Sequence, residues 1–423
     1  MPELKKRVVV LGAGASASYS DSPTRLRPPL AREIIPTFQQ LVISGDRLVL
    51  IGHIINYVRD TRGIDPINFN SWDEDLEAFM TEIDEKVQQL SFSLRNNKGK
   101  GNERLAQDDF QSLILTDGAY NQLVFLFSSI LNEIQNGPVS IPYALLAHEL
   151  GKSDTVITFN WDTLFDRALL TTGKWNPYLG YGVTPDYVFD DKWQTTGVEF
   201  ASDYIVRYLK LHGSTNWLVP YHGIHLNSGE VFSQCSYGMN KLCVFFKATK
   251  PYPTYKERYW GPYEPFSYCY YPPNLPFKRD DSCEGFVKAS FMIAPDLPGH
   301  AEPVIEDPNV YSMPLLIPPI RDKKYMRYGE VFNSLWSQAE IEISLCSELF
   351  IIGYSFPDTD HVSRNLFKNA VQKNRVLEKV VIIDPYPRRA YEVFCDEIGV
   401  RSEIIHVRSE RFGAKLSGEP TLK

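Results

Sequence analysis

In this chain, glycine, asparagine, aspartate and histidine recur directly after short apolar runs, which is where an α/β sheet places its chemistry. Val8 to Leu11 is a continuous aliphatic run, and Gly12-Ala13-Gly14-Ala15-Ser16 follows at once. Glycine lets the backbone turn tightly and approach a ligand with no Cβ in the way. A helix that begins in this turn offers unsatisfied N–H groups to a phosphate. Ala17 stands where the dinucleotide fingerprint has its third glycine, a replacement the fingerprint tolerates. An ordinary strand-to-turn joint has the same appearance. A second run, Asp154 to Phe159, leads into Asn160-Trp161-Asp162. At the carboxyl end of a strand both polar side chains can face a ligand, and both residue types also cap helices. A third run, Tyr204 to Leu211, ends at His212-Gly213, where the histidine is either a candidate acid/base group or a satisfied structural residue. A fourth, Glu348 to Ile352, runs into Gly353, and a fifth, Val380 to Ile383, ends at Asp384. A carboxylate there can take a pair of ribose hydroxyls.

These positions imply a buried parallel sheet, whose strands read as unbroken aliphatic runs rather than alternating ones. The expected fold class is therefore α/β, a Rossmann-like parallel sheet with two insertions. The sheet domain comprises residues 1–60, 150–218 and 315–423. A mainly helical insertion spans 61–149. It opens on a capping box, Ser71 with Glu74, and continues along the face Leu76, Phe79, Met80, Ile83 and Val87. An exposed loop is expected over Asn96 to Asn102, and a second apolar helix over Tyr120 to Ile134. Leu30 to Val58 carries helical spacing with Pro36 at a start or kink, and Tyr325 to Cys346 reads as a long helix. Asp358 or Asp360 should cap the helix through Leu366, Phe367 and Val371.

Between 219 and 314 the composition changes. Tyr, Pro, Phe and Cys crowd together, as in Tyr268-Cys269-Tyr270-Tyr271-Pro272-Pro273. Proline blocks long helices and central strands, so an irregular insertion packed by aromatics is expected. His222, His225, Cys235 and Cys243 fall close together there, but their spacing matches no common zinc module, and no metal is expected.

The 423 residues carry a formal net charge of −8, which argues against a generally basic nucleic-acid binder. No apolar run approaches the roughly 18 residues of a membrane span. Six cysteines without a C-x-x-C pair fit a reduced compartment, so a cytoplasmic protein is expected.

Taken together, Gly12-Ala13-Gly14-Ala15-Ser16, Thr158-Phe159-Asn160-Trp161-Asp162, Leu211-His212-Gly213-Ser214 and Gly353-Tyr354-Ser355 resemble the sirtuin family in order and chemistry. More closely, they look like the sirtuin-like domains of bacterial anti-phage defence proteins, to which Gly353-Tyr354-Ser355-Phe356 in particular is similar. The resemblance covers most of the sheet domain. It implies NAD as the substrate. By that analogy the turn Gly12, Ala13, Gly14 to Ser16 holds the pyrophosphate, Asn160 orients the nicotinamide ribose or an attacking water, and Asp162 meets the carboxamide. His212 acts as base on a ribose hydroxyl, while Gly353, Ser355 and Asp384 line the adenosine half. Two departures bear on the reaction. The paired C-x-x-C zinc ribbon of deacylating sirtuins is absent, and Phe159 precedes Asn160 where those enzymes carry glutamine.

The expectation is thus an NAD+ glycohydrolase that releases nicotinamide and ADP-ribose, an effector that depletes NAD+ during phage infection. An activity that would kill its host calls for gating. The resembling proteins often form rings, which implies a homo-oligomer here, and some pair with a hexameric DNA-translocating ATPase of the HerA type. The chain has no P-loop of its own. Two alternatives stand beside this: a protein deacylase or ADP-ribosyltransferase, and a non-catalytic sensor of NAD or ADP-ribose.

Overall fold

Val8, Val9, Val10 and Leu11 have no exposed surface, because the strand they form has a neighbour on each side and helices against it. The computed structural model describes residues 5–22, 24–40, 52–64, 75–97, 103–135, 137–190, 192–196, 206–220, 242–247, 312–321, 329–357, 360–414 and 420–422. Six strands make one parallel sheet: β1 (Arg7–Leu11), β2 (Thr155–Thr158), β5 (Arg207–Lys210), β9 (Glu348–Ile352), β10 (Lys379–Ile383) and β11 (Ile405–Arg408). Their order across the sheet is β11-β10-β9-β1-β2-β5. The chain therefore winds outward from β1 in one direction, then returns to β9 on the other side of β1 and winds outward again. This is the doubly wound Rossmann-like order, and its reversal point lies between β1 and β9. Register is continuous across it: Val9 pairs with Val156 on one side and Phe350 on the other. No helix among the described residues is long and apolar enough to cross a membrane.

The helices are α1 (Ala13–Ser16), α2 (Ile34–Gln40), α3 (Gly52–Arg62), α4 (Leu76–Asn97), α5 (Glu103–Gln135), α6 (Ile141–Glu149), α7 (Leu164–Thr171), α8 (Glu330–Ser344), α9 (His361–Lys373) and α10 (Arg388–Glu392). Helix α6 packs on α7, and α8 packs on α9. The helical block is α3, α4 and α5, with α5 in contact with both others. It takes in α3, upstream of the expected boundary at 61. Helix α4 continues through Asn96 and Asn97, where a loop was expected, and α5 begins well before Tyr120. Asp75 caps α4, its Oδ1 accepting from the N–H groups of Glu77 and Ala78 at 3.0 and 3.1 Å. The expected capping pair Ser71 and Glu74 lies outside the described residues. The block is tied to the sheet domain through Arg167 of α7, which donates to the carbonyls of Gln135 and Gly137, and through Gln135 Oε1, which accepts from Thr163 N at 2.8 Å.

A second sheet stands beside the first, built from β3 (Tyr187–Asp190), β4 (Trp193–Thr195), β6 (Gly213–Pro220), β7 (Cys243–Lys247) and β8 (Ser312–Leu316), in the order β4-β3-β7-β6-β8. It draws β3, β4 and most of β6 from 150–218, expected to belong to the parallel-sheet domain, and β7 and most of β8 from the aromatic-rich segment. Cys243 is buried in β7; His222, His225 and Cys235 lie outside the described residues. Strand β6 follows β5 with only Leu211 and His212 between them, so the chain passes from one sheet to the other at the histidine.

Candidate functional site

The Gly12, Asn160, His212 and Gly353 clusters all emerge at the carboxyl edge of the parallel sheet, after β1, β2, β5 and β9 respectively, and Asp384 follows β10. In open α/β sheets ligands bind at this edge, at the point where the winding reverses.

The turn after β1 is fixed by close packing against the turn after β9. Gly12 N donates to Ile352 O at 3.0 Å, and Gly14 N to Gly353 O at 2.9 Å. A Cβ on Gly12 would lie 2.4 Å from Gly353 O, and one on Gly353, whose φ is +63°, would lie 2.1 Å from Ala15 N. These glycines are thus required by the approach of one backbone to another. Helix α1 is a single turn of four residues, and Ala13 is its exposed face.

Ser16 ends α1 with its side chain turned inward, into a buried polar cluster. Asn160 Nδ2 donates to Gly12 O at 2.9 Å and to Ser16 Oγ at 3.0 Å. Ser16 Oγ lies 2.7 Å from Asp162 Oδ2 and 2.9 Å from the Tyr143 hydroxyl. Asp162 Oδ1 accepts from Leu164 N at 3.0 Å and so also serves the start of α7. One side chain thus joins the start of α7 to the buried cluster, through Oδ1 and Oδ2 respectively. Burial pushes the Asp162 carboxyl above its ordinary range, and the Lys210 ammonium pulls it back. Burial likewise drives the Tyr143 phenol well up, with the Asp162 charge adding to it.

Lys210 is the residue behind this cluster that residue-type reasoning passed over. Its Nζ donates to Asp162 O at 2.5 Å and to Asp166 Oδ2 at 3.2 Å, and both side chains of the ion pair are 0% exposed. Tyr208 completes it, its hydroxyl donating to Asp166 Oδ2 at 2.9 Å. The signal was present: a lysine at the end of an apolar strand and an aspartate on the apolar face of a helix each need a buried partner.

His212 lies one strand over from Asn160, since Thr158 and Lys210 pair across β2 and β5. Its ring meets the Phe159 ring edge-on at 5.0 Å and tilts against Trp336 of α8 at 6.2 Å. Its Nε2 is 3.9 Å from Asp360 Oδ2, with both side chains nearly buried. Phe159 in turn stacks on Tyr354, with ring centroids 4.4 Å apart and planes within 10°. Phe159 is thus an aromatic platform that joins the β2 and β9 ends across β1.

Ser355 is exposed just beyond Gly353. Asp384 is partly buried and closes its own turn, with Oδ1 accepting from Tyr386 N at 2.7 Å. Burial raises its carboxyl, and that backbone bond works against the rise. Asp360 caps α9, while Asp358 lies outside the described residues. The structure therefore joins Gly12, Ser16, Asn160 and Asp162 in one hydrogen-bonded cluster. It sets His212 beside that cluster, and Ser355 and Asp384 along the same edge on the far side of β1.

Compared with protein-family models and with curated proteins, the chain matches none.

Proposed function

We propose that this chain is an NAD+ glycohydrolase of the sirtuin-like kind. The observation that carries the reading is the shared edge: a glycine turn follows β1 beside the reversal point of a doubly wound sheet, and an asparagine and a histidine follow β2 and β5 along the same carboxyl edge. The residue types suit the reaction. Water oxygen bonds to C1′ of the ribose, and the electron pair of the C1′–N bond leaves with neutral nicotinamide. One proton remains, and His212 takes it. The leaving group needs no acid, so the carboxylate pair of ordinary glycosidases has no role here. Asn160 holds the ribose or the water, and the packed aromatic wall of Phe159 and Tyr354 keeps bulk water from the reacting carbon. Gating by self-assembly and by a HerA-type ATPase belongs to the same reading, because unrestrained hydrolysis of NAD+ is lethal to the cell that makes it.

The test is nicotinamide release from NAD+ by the full chain, alone and with a neighbouring-gene ATPase, with and without an acylated peptide. Release that needs no peptide and is abolished in Asn160→Ala and His212→Ala, both still folded, is the expected result. Full activity in both variants refutes the site. Peptide-dependent turnover would instead establish a deacylase. Binding without turnover in every assembly state would establish a sensor.

A further inference from the structure

Asp360 was expected only as a helix cap, and it does cap α9, accepting from Ser363 N at 3.3 Å. A cap needs one oxygen and no burial. This side chain is 1% exposed, and its second oxygen is turned toward the site, 3.9 Å from His212 Nε2. The same Oδ2 accepts from the Tyr354 hydroxyl at 2.8 Å, and that hydroxyl lies 2.7 Å from Ser363 Oγ. The carboxylate is therefore held at both oxygens, by two elements, and its rotamer is fixed. The histidine ring is held as firmly between Phe159 and Trp336. The two rigid partners stand at ion-pair distance, longer than a hydrogen bond, so what the carboxylate gives the imidazole is charge that stabilises its protonated form.

We propose that Asp360 is a positioning residue for His212: its carboxylate faces the ring at ion-pair distance and balances the proton that the ring takes up when water adds to the ribose. The inference rests on the glycohydrolase reading for its chemistry, but the pairing itself does not. The O–H bond of water breaks, an N–H bond forms on the His212 ring, and the new positive charge faces the Asp360 carboxylate. Around the pair stand Tyr354 from the loop after β9 and Arg364 from α9, whose guanidinium is engaged by Glu397 and Pro357 O. Phe159 after β2 and Trp336 of α8 supply apolar walls. A charge in such surroundings is poorly screened by water, so its effect on the imidazole is large.

Asp360→Asn removes the charge and keeps both shape and cap, since asparagine caps helices as well as aspartate does. Two measurements on the full chain separate the pairing from the chemistry. In the first, histidine ring resonances are titrated by NMR, with His212→Gln identifying the His212 signal. The expected result is that Asp360→Asn lowers its titration midpoint by at least about one pH unit. An unmoved midpoint overturns the proposal. In the second, nicotinamide release is followed against pH. The variant should lose roughly 10- to 100-fold in kcat, with KM nearly unchanged, and its acidic limb should move with the NMR midpoint. A shifted midpoint in a chain that releases no nicotinamide at all would leave the pair standing and sink the glycohydrolase reading. A shifted midpoint with unchanged kcat would overturn the positioning role. Asp360→Ser, which also keeps the cap, replaces Asp360→Asn if that variant does not fold.

Discussion

Removing the lysine behind the site gives the sharpest energetic test of how the site is held. Lys210 and Asp166 form an ion pair with no exposed surface, and Lys210 also donates to Asp162 O. Lys210→Met keeps most of the volume, so the packing change is small, under about 1.5 kcal/mol. The charge change is not. Asp166 is left buried with the Tyr208 hydroxyl still donating to it but without the Lys210 cation beside it, and the Asp162 carbonyl loses the Lys210 donor. Breaking a buried pair from one side costs about 3–5 kcal/mol, most of it the penalty for the charge left behind. The expected loss is therefore about 4 kcal/mol. The pair itself contributes far less than that, so the double variant Lys210→Met with Asp166→Asn should recover at least about 2 kcal/mol relative to the sum of the singles. Urea unfolding followed by tryptophan fluorescence reads this, and Trp175, edge-on to Tyr208 at 5.6 Å, is among the reporters. A single-variant loss below about 1 kcal/mol, or strict additivity in the double variant, would refute the reasoning.

Gly353→Ala should cost about 2–5 kcal/mol, from a left-handed backbone and from a Cβ set against Ala15 N and the Gly14 carbonyl carbon. Gly63→Ala, at φ +65° with open space around it, supplies the control and should cost only about 1–2 kcal/mol; equal losses in the two variants would show that the close approach after β1 and β9 carries no energy. Burial pushes the Asp117 carboxyl in α5 up to about 6 from 3.8. A carboxyl raised on folding favours the fold while protonated, so that stability is complete below pH 3.8 and is lost as pH rises through about 6. Asp117→Asn, which can still accept from Asn121, should therefore stabilise the chain at pH 7.5 by up to about 3 kcal/mol and change little at pH 4. Unfolding curves of both chains at the two pH values check this, and an equal gain at each would rule it out.

The parallel sheet was legible because its central strands are buried on both faces and so are written as plain aliphatic runs, Val8 to Leu11 and Val380 to Ile383 among them. The second sheet was not. Its strand β6 begins Gly213-Ser214-Thr215-Asn216, which reads as a polar loop, yet Ser214, Thr215 and Asn216 are all buried. The side chains of Ser214 and Asn216 find partners far along the chain, Ser214 Oγ donating to Trp161 O and Asn216 Nδ2 to Phe245 O, and Thr215 is tied to Trp161 O through its backbone N–H. Partners thirty or fifty residues away leave no periodic trace. The strand-end placement of Gly12, Asn160, His212, Gly353 and Asp384 was legible from their types and from the apolar runs before them, but their connections were not. The bond from Asn160 to Ser16 exists only because β1 and β2 pair with Leu11 opposite Thr158. Asp360 was visible as a cap and invisible as a neighbour of His212, because nothing local to α9 encodes which strand end it faces.

The histidine sits on a corner rather than a loop. Leu211 N donates to Thr158 O in the first sheet, and the His212 carbonyl accepts from Ile317 N at the end of the second. Gly213, at φ +77°, turns the chain between them, and a side chain there would strike Leu315 O at 2.1 Å. The residue is thus clamped by two hydrogen-bonded ladders, one before it and one after. A ring mounted in this way has little backbone entropy left to lose when a ligand arrives, so its freezing-in is already complete in the empty protein. The amide of Ile317, outside every helix and beyond the last residue of β8, should then exchange with deuterium as slowly as the amides of the central strands.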